Sequence, residues 1–174
     1  RDVLGSRGLG DVYKRQGYTM PLPEKDEMYL TKGKMLQDIV VCLGGRIAES
    51  LVFDDVTTGA VQDIRQATER ARDMVTKYGF SDELGMINYS TSDDEVFIGR
   101  EIGHAKNFSE GTAAVIDQEV KRIIESCREK ATKILKENRK VLDKLAELLI
   151  EKERIGQQEF EALFEQNDET IEEM

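Results

Sequence analysis

The chain has 174 residues and a formal net charge of -10, with 34% charged residues, 39% hydrophobic residues, 6% aromatics and no tryptophan. That length supports one domain with a core of its own, which must rest on Leu, Ile, Val, Met and Ala. So acidic a surface repels phosphate backbones, and no Lys/Arg run with interleaved aromatics offers a local exception, so nucleic acid is excluded as a partner. No apolar run approaches the ~20 residues of a membrane span, and no signal-peptide core is visible.

The first sixteen residues, RDVLGSRGLGDVYKRQ, are basic and glycine-rich and carry neither a helical nor a strand period. Two readings stand: a disordered arm, or non-native sequence from a cloning or sequencing adapter. The glycines are not followed by Lys-Ser/Thr and do not open a helix, which rejects a phosphate loop. GYTMPLPEKDEMYL follows as a loop, because Pro21 and Pro23 turn Met20 and Leu22 away from helix.

Thr31 is placed to cap a helix through Phe53, with Leu36, Ile39/Val40, Leu43, Ile47 and Leu51 on its apolar stripe. Gly44 and Gly45 cost that helix about 1 kcal/mol each relative to alanine, which predicts another backbone close against them. Cys42, Gly45 and Glu49 share the side away from the stripe, so protein contacts are expected on both sides. After the turn DDVTTG, a helix is predicted from Ala60 to Lys77, its stripe Ala60, Ile64, Ala67, Ala71, Met74/Val75 and Tyr78. Gly79 is placed to end it in the left-handed conformation.

The next thirty residues read as loop, with strand-like pieces at Met86–Tyr89 and Glu95–Ile98. Ser109 caps a long helix with Ile116, Val120, Ile123, Cys127 and Ile134/Leu135 on its stripe, and Asn138 breaks it. A short amphipathic helix over Val141–Ile150 and another over Arg154–Phe164, around Ile155, Phe160 and Leu163, complete the pattern. The acidic residues 167–174 are expected to be disordered.

Few side chains offer chemistry. Asp63 shares a helical side with Ala60, Ala67, Arg70 and Met74, at the border of the apolar stripe. It serves either as a zinc ligand, which needs further donors from elsewhere, or as a boundary carboxylate paired with Arg70 or set on the positive end of its helix. Glu49 is a surface carboxylate on the glycine face, or a group in contact with a neighbouring element. His104, the single histidine, has no adjacent Cys or His and reads as solvent-facing. Cys42 and Cys127, the two cysteines, read as free thiols in a reducing compartment rather than a disulfide framework. No serine stands in a nucleophile elbow, and a lone histidine cannot complete a triad.

Several blocks in order carry a resemblance: GGRIAE at 44–49, TTGAVQDI at 57–64, MVTKYGFSDELG at 74–85 and VFIGRE at 96–101. They resemble the peptidase domain of the FtsH family, membrane-anchored AAA+ zinc metalloproteases, over residues 17–166. The resemblance implies a mainly α fold, a helical peptidase domain with a C-terminal helical bundle from Ser109 onward and minor short strands. It divides the chain into residues 1–16 (non-native or disordered), a partial peptidase domain at 17–166, and the tail at 167–174.

In that family two histidines of a His-Glu-x-x-His helix bind zinc, the glutamate between them is the general base, and an aspartate on a later helix is the third protein ligand. The aspartate falls on Asp63; Glu49, in the Gly-Gly-Arg-x-Ala-Glu block, resembles the outer carboxylate that orients a zinc histidine. His-Glu-x-x-His itself is nowhere in the 174 residues. The expectation is therefore a partial domain with no catalytic residue of its own, inactive and without bound zinc by itself. Its parent would be an ATP-dependent zinc endopeptidase that degrades unfolded and membrane proteins as a homo-hexamer. That parent would hold ATP and magnesium in an ATPase module and lie on the cytoplasmic face of a bacterial membrane or in an organelle, the membrane reached only through segments this chain lacks. The alternatives are a non-catalytic relative kept as an assembly or regulatory module, and a plain helical interaction protein.

Overall fold

The computed structural model describes residues 29–53, 55–90 and 108–172, with side chains through 164. The chain divides into two units, Arg1–Leu30 and Thr31–Met174. Only Tyr29 and Leu30 of the first are described, and both are exposed. The second unit holds five α-helices, α1 (Lys32–Val52), α2 (Val61–Thr76), α3 (Glu110–Glu137), α4 (Arg139–Lys152) and α5 (Gln157–Glu172), with a 3-10 turn at Thr58–Ala60 leading into α2. Among the described residues there is no strand, and no helix is long and apolar enough to cross a membrane.

Helix α1 begins where Thr31 stays extended and its Oγ1 accepts from the Lys34 N–H at 3.1 Å. Its buried line is Met35, Ile39, Leu43 and Ile47, spaced four apart along one side. Leu36, Val40 and Leu51 of the expected stripe lie half-buried on its flank. Ala67, Ala71, Met74 and Val75 of α2 and Ile116, Val120, Ile123 and Cys127 of α3 close on that line, so α1, α2 and α3 share one core. The alanines let α2 approach closely. The outer ends of the expected α2 stripe are wetter: Ile64 is 38% exposed and Tyr78 46%.

Helix α2 closes on Lys77, and Gly79, two residues on, takes φ 62°. The Phe80 N–H reaches back to the Met74 carbonyl at 2.8 Å and folds the chain over the end of the helix. Met86–Tyr89, expected as a short strand, finds no partner strand among the described residues; the Tyr89 N–H instead donates to the Thr76 carbonyl at 2.7 Å. The second expected strand, Glu95–Ile98, lies outside the described residues, as does His104.

Ser109 caps α3 through the Thr112 N–H at 3.2 Å, and the helix ends at Asn138. There the Asn138 side-chain amide returns to the Ile134 carbonyl at 2.9 Å. Helix α4 meets the end of α3 and is tied to α1 where Arg139 Nη1 donates to the Leu51 carbonyl at 2.8 Å, a cation placed on a helix C-terminus. Helix α5 packs on α4 and on no other described helix. It runs to Glu172, through most of the acidic segment expected to be a tail.

Candidate metal-ligand helix

The loop between α1 and α2 sets the candidate site. Thr57 is extended, and its Oγ1 accepts from the Gly59 N–H at 3.2 Å, capping the 3-10 turn. Helix α2 starts directly from that turn, and Ala60 at its N-cap makes no side-chain hydrogen bond. Asp63 falls in the first turn of α2, where the positive end of the helix favours a carboxylate.

Asp63 is exposed and makes no hydrogen bond or ion pair among the described residues. The sequence offers Arg70, one side of the same helix away, as its partner. The structure commits Arg70 elsewhere: Arg70 Nη1 binds Asp38 Oδ2 of α1 at 2.9 Å. Asp38 also lies 3.8 Å from Lys34 Nζ. Asp63 is left an open carboxylate in the first turn of α2.

Cys42 of α1 sits across from it, half-buried. Burial pushes its thiol up, Arg70 opposes, and the charges of Asp63 and Asp38 push it further. Asp63 is thus within electrostatic reach of α1. Cys127 is buried, its thiol raised by burial, and its Sγ donates to the Leu36 carbonyl at 3.7 Å. Both cysteines are free.

Glu49, half-buried near the end of α1, accepts from Thr57 Oγ1 at 2.7 Å and from the Thr57 N–H at 3.4 Å. Arg46 lies 3.9 Å from the same carboxylate. Gly44 and Gly45, expected under another backbone, have open space instead: nothing described lies within 4 Å of where a Cβ would stand on either.

As a zinc site the described residues are incomplete. No group of three His, Cys, Asp or Glu able to hold a metal occurs among them, and the single histidine of the sequence cannot supply two imidazoles. Asp63 itself is a single carboxylate in the first turn of α2. The sequence singles out Asp63 and Glu49 as candidates. It missed the link between Glu49 and Thr57, for which the eight-residue separation across a turn gives no periodic signal.

It also missed Glu119, a buried carboxylate on α3. Glu119 accepts from Arg122 Nε and Nη2, each at 2.8 Å, and from Ser81 Oγ at 2.8 Å. The Arg122 hydrogen bond holds its carboxyl below the ordinary range against the opposing effect of burial, with Ser81 adding to the lowering. Because the Ser81 hydroxyl also accepts from the Leu84 N–H at 3.2 Å, this carboxylate anchors the loop after α2 onto α3. The (i, i+3) spacing of Glu119 and Arg122 was the available signal.

Comparison with known proteins matches this sequence to one family. The model of peptidase family M41 matches residues 13–163, beginning ahead of Gly17, where the resemblance was expected to start. "ATP-dependent zinc metalloprotease FtsH 1" of Thermoanaerobacter sp. (strain X514) is 51% identical over 152 residues, 87% of this chain and 25% of that protein. "ATP-dependent zinc metalloprotease FtsH" of Caldicellulosiruptor bescii is 52% identical over 147 residues, 84% of this chain and 24% of its own length. The Thermotoga maritima protein of the same name is 44% identical over 159 residues, 91% of this chain and 26% of its own. This chain thus spans about a quarter of the length of these relatives. The helical fold, the ordered blocks and the match over most of the residues lead to one conclusion: the chain belongs to peptidase family M41.

Proposed function

We propose that these residues form part of the peptidase domain of an ATP-dependent zinc metalloendopeptidase, in which Asp63 is the third protein ligand of the zinc. One observation carries the reading: Asp63 is exposed and unpaired at the start of α2, while Arg70, the partner its helix face offers, is held by Asp38. A carboxylate kept clear of internal ion pairs is available to a metal. Zinc, when bound with two histidines and Asp63, supplies a Lewis acid and a water of lowered pKa at its open position. The role of this chain is to present the third donor on a helix held to α1 and α3. Glu49 uses its carboxylate on Thr57 and Arg46 and keeps lone-pair capacity to orient a zinc histidine.

By themselves the 174 residues hold one of the three protein ligands and no His-Glu-x-x-His base, so we expect neither tight zinc binding nor peptide hydrolysis from them alone. In the parent protein, ATP and magnesium would belong to an ATPase module. Its substrates would be unfolded and membrane proteins, its assembly a homo-hexamer, and its setting a membrane.

The test joins this chain to a segment bearing the family's His-Glu-x-x-His. Stoichiometric zinc and caseinolytic activity in that chimera, both lost in Asp63→Ala, support the reading. Zinc retained in full by Asp63→Ala rejects Asp63 as a ligand. A chimera that folds and binds no zinc points instead to a non-catalytic assembly or regulatory module.

A further inference from the structure

Glu49 and Asp63 stand on different helices, and the loop between them is closed by Thr57. Both Glu49 oxygens are engaged there, Oε1 by the Thr57 hydroxyl at 2.7 Å and Oε2 by the Thr57 N–H at 3.4 Å. The same Thr57 Oγ1 receives the Gly59 N–H at 3.2 Å, so one hydroxyl both donates to Glu49 and caps the 3-10 turn. That turn passes into α2 where the Val61 N–H donates to the Thr58 carbonyl. Helix α2 has no side-chain cap of its own, so the capping of its entry is delegated to Thr57.

We propose that Glu49 is a positioning residue for Asp63: through Thr57 it fixes the 3-10 turn and the first turn of α2, and with them the direction of the Asp63 carboxylate. The inference rests on the reading of Asp63 as a zinc ligand. It answers a physical need of that ligand. Helix ends fray first, and an exposed carboxylate without partners contributes nothing to its own placement. A metal donor must be held to a fraction of an ångström by the groups behind it. Arg46, one turn earlier on α1, lies 3.9 Å from the Glu49 carboxylate and flanks it on the side of its own helix. The path is short: Glu49, Thr57, Gly59, then the helix that carries Asp63.

The experiment is amide hydrogen exchange, followed by NMR on the metal-free 174-residue chain. Glu49→Leu and Thr57→Val should each speed exchange at Gly59, Val61 and Ile64 by about tenfold, the size of effect a lost charge-assisted hydrogen bond gives to local opening. Exchange at Ile123 and Cys127 should not change, which shows that the fold is intact. Thr57→Ser keeps the hydroxyl and should match the parent chain. Unchanged exchange at the start of α2 in both Glu49→Leu and Thr57→Val overturns the positioning role. Zinc affinity, measured by chelator competition in the chimera described above, separates the two readings. If Asp63→Asn leaves it unchanged while Glu49→Leu still loosens the start of α2, the ligand reading fails and the positioning role loses its purpose. If Glu49→Leu and Thr57→Val both weaken zinc binding and Thr57→Ser does not, both readings hold.

Discussion

Arg70 of α2 binds Asp38 of α1 at 2.9 Å, and by doing so leaves Asp63 without a cation on its own helix face. The pair lies at the partly buried α1–α2 interface, where Arg70 also lowers and Asp38 raises the Cys42 thiol pKa. The acid on α1 thereby fixes one helix against another and keeps the acid of α2 open.

Asp63→Asn should therefore barely change the stability of the metal-free chain. The residue is exposed and forms no ion pair, so only its favourable interaction with the helix N-terminus is lost, at most about 1 kcal/mol. Asp38→Ala breaks a partly screened ion pair and should cost about as little, ~0.5–1 kcal/mol. Urea denaturation of the two variants checks both. A large loss in Asp63→Asn would mean that the carboxylate is structural.

Two glycines should respond in opposite directions to alanine. Gly45 lies inside α1 with nothing described within 4 Å of where a Cβ would stand, so Gly45→Ala should stabilise by about 0.5–1 kcal/mol. Gly79 has φ 62°, and a Cβ there would stand 3.1 Å from the Met86 Cα. Gly79→Ala should cost about 1–3 kcal/mol, from left-handed strain and from the backbone it pushes against. Thermal melts of the pair decide it.

Acid should weaken the tie between the loop after α2 and α3. Glu119 has a folded pKa below its ordinary 4.5, so its contribution is fully present above that value and is lost as pH falls through the lowered folded value. The stability difference between the parent chain and Glu119→Gln should stay level from neutrality down to about 4.5 and shrink below it. Ser81→Ala removes the second donor and should cost about 1–2 kcal/mol near neutrality. Urea midpoints measured against pH give both numbers.

Ile39 and Met74 are fully buried, one on α1 and one on α2, at the centre of the shared core. Ile39→Ala and Met74→Ala should each cost about 2–5 kcal/mol, since the lost transfer energy adds to the cavity left among three rigid helices. Ile150→Ala on α4, where the side chain is 84% exposed, should stay within about 0.5 kcal/mol. Denaturant midpoints at constant slope test the contrast.

The helices were legible because their signals are local. Thr31 and Ser109 are caps whose oxygen meets an amide three residues on, Gly79 and Asn138 are stops, and Ile39, Leu43 and Ile47 recur at helical spacing. Asp63 and Glu49 could be singled out as candidates for the same reason, as acids beside an apolar stripe and a glycine pair. What the spacing could not give was the choice of partner. Arg70 stands seven residues from Asp63 and thirty-two from Asp38, and only the packing of α2 on α1 decided which acid it would bind. Burial of Glu119 likewise depended on Ser81 arriving from thirty-eight residues away. Gly44 and Gly45 show the converse, since small residues permit a close approach and do not require one. Local hydrogen bonding and side-chain period thus determined where the helices lie, because both act within a few residues. Pairing of charges, burial of polar groups and openness of the Asp63 carboxylate were decided by tertiary contact, because they depend on which surfaces the folded chain brings within about 4 Å of each other.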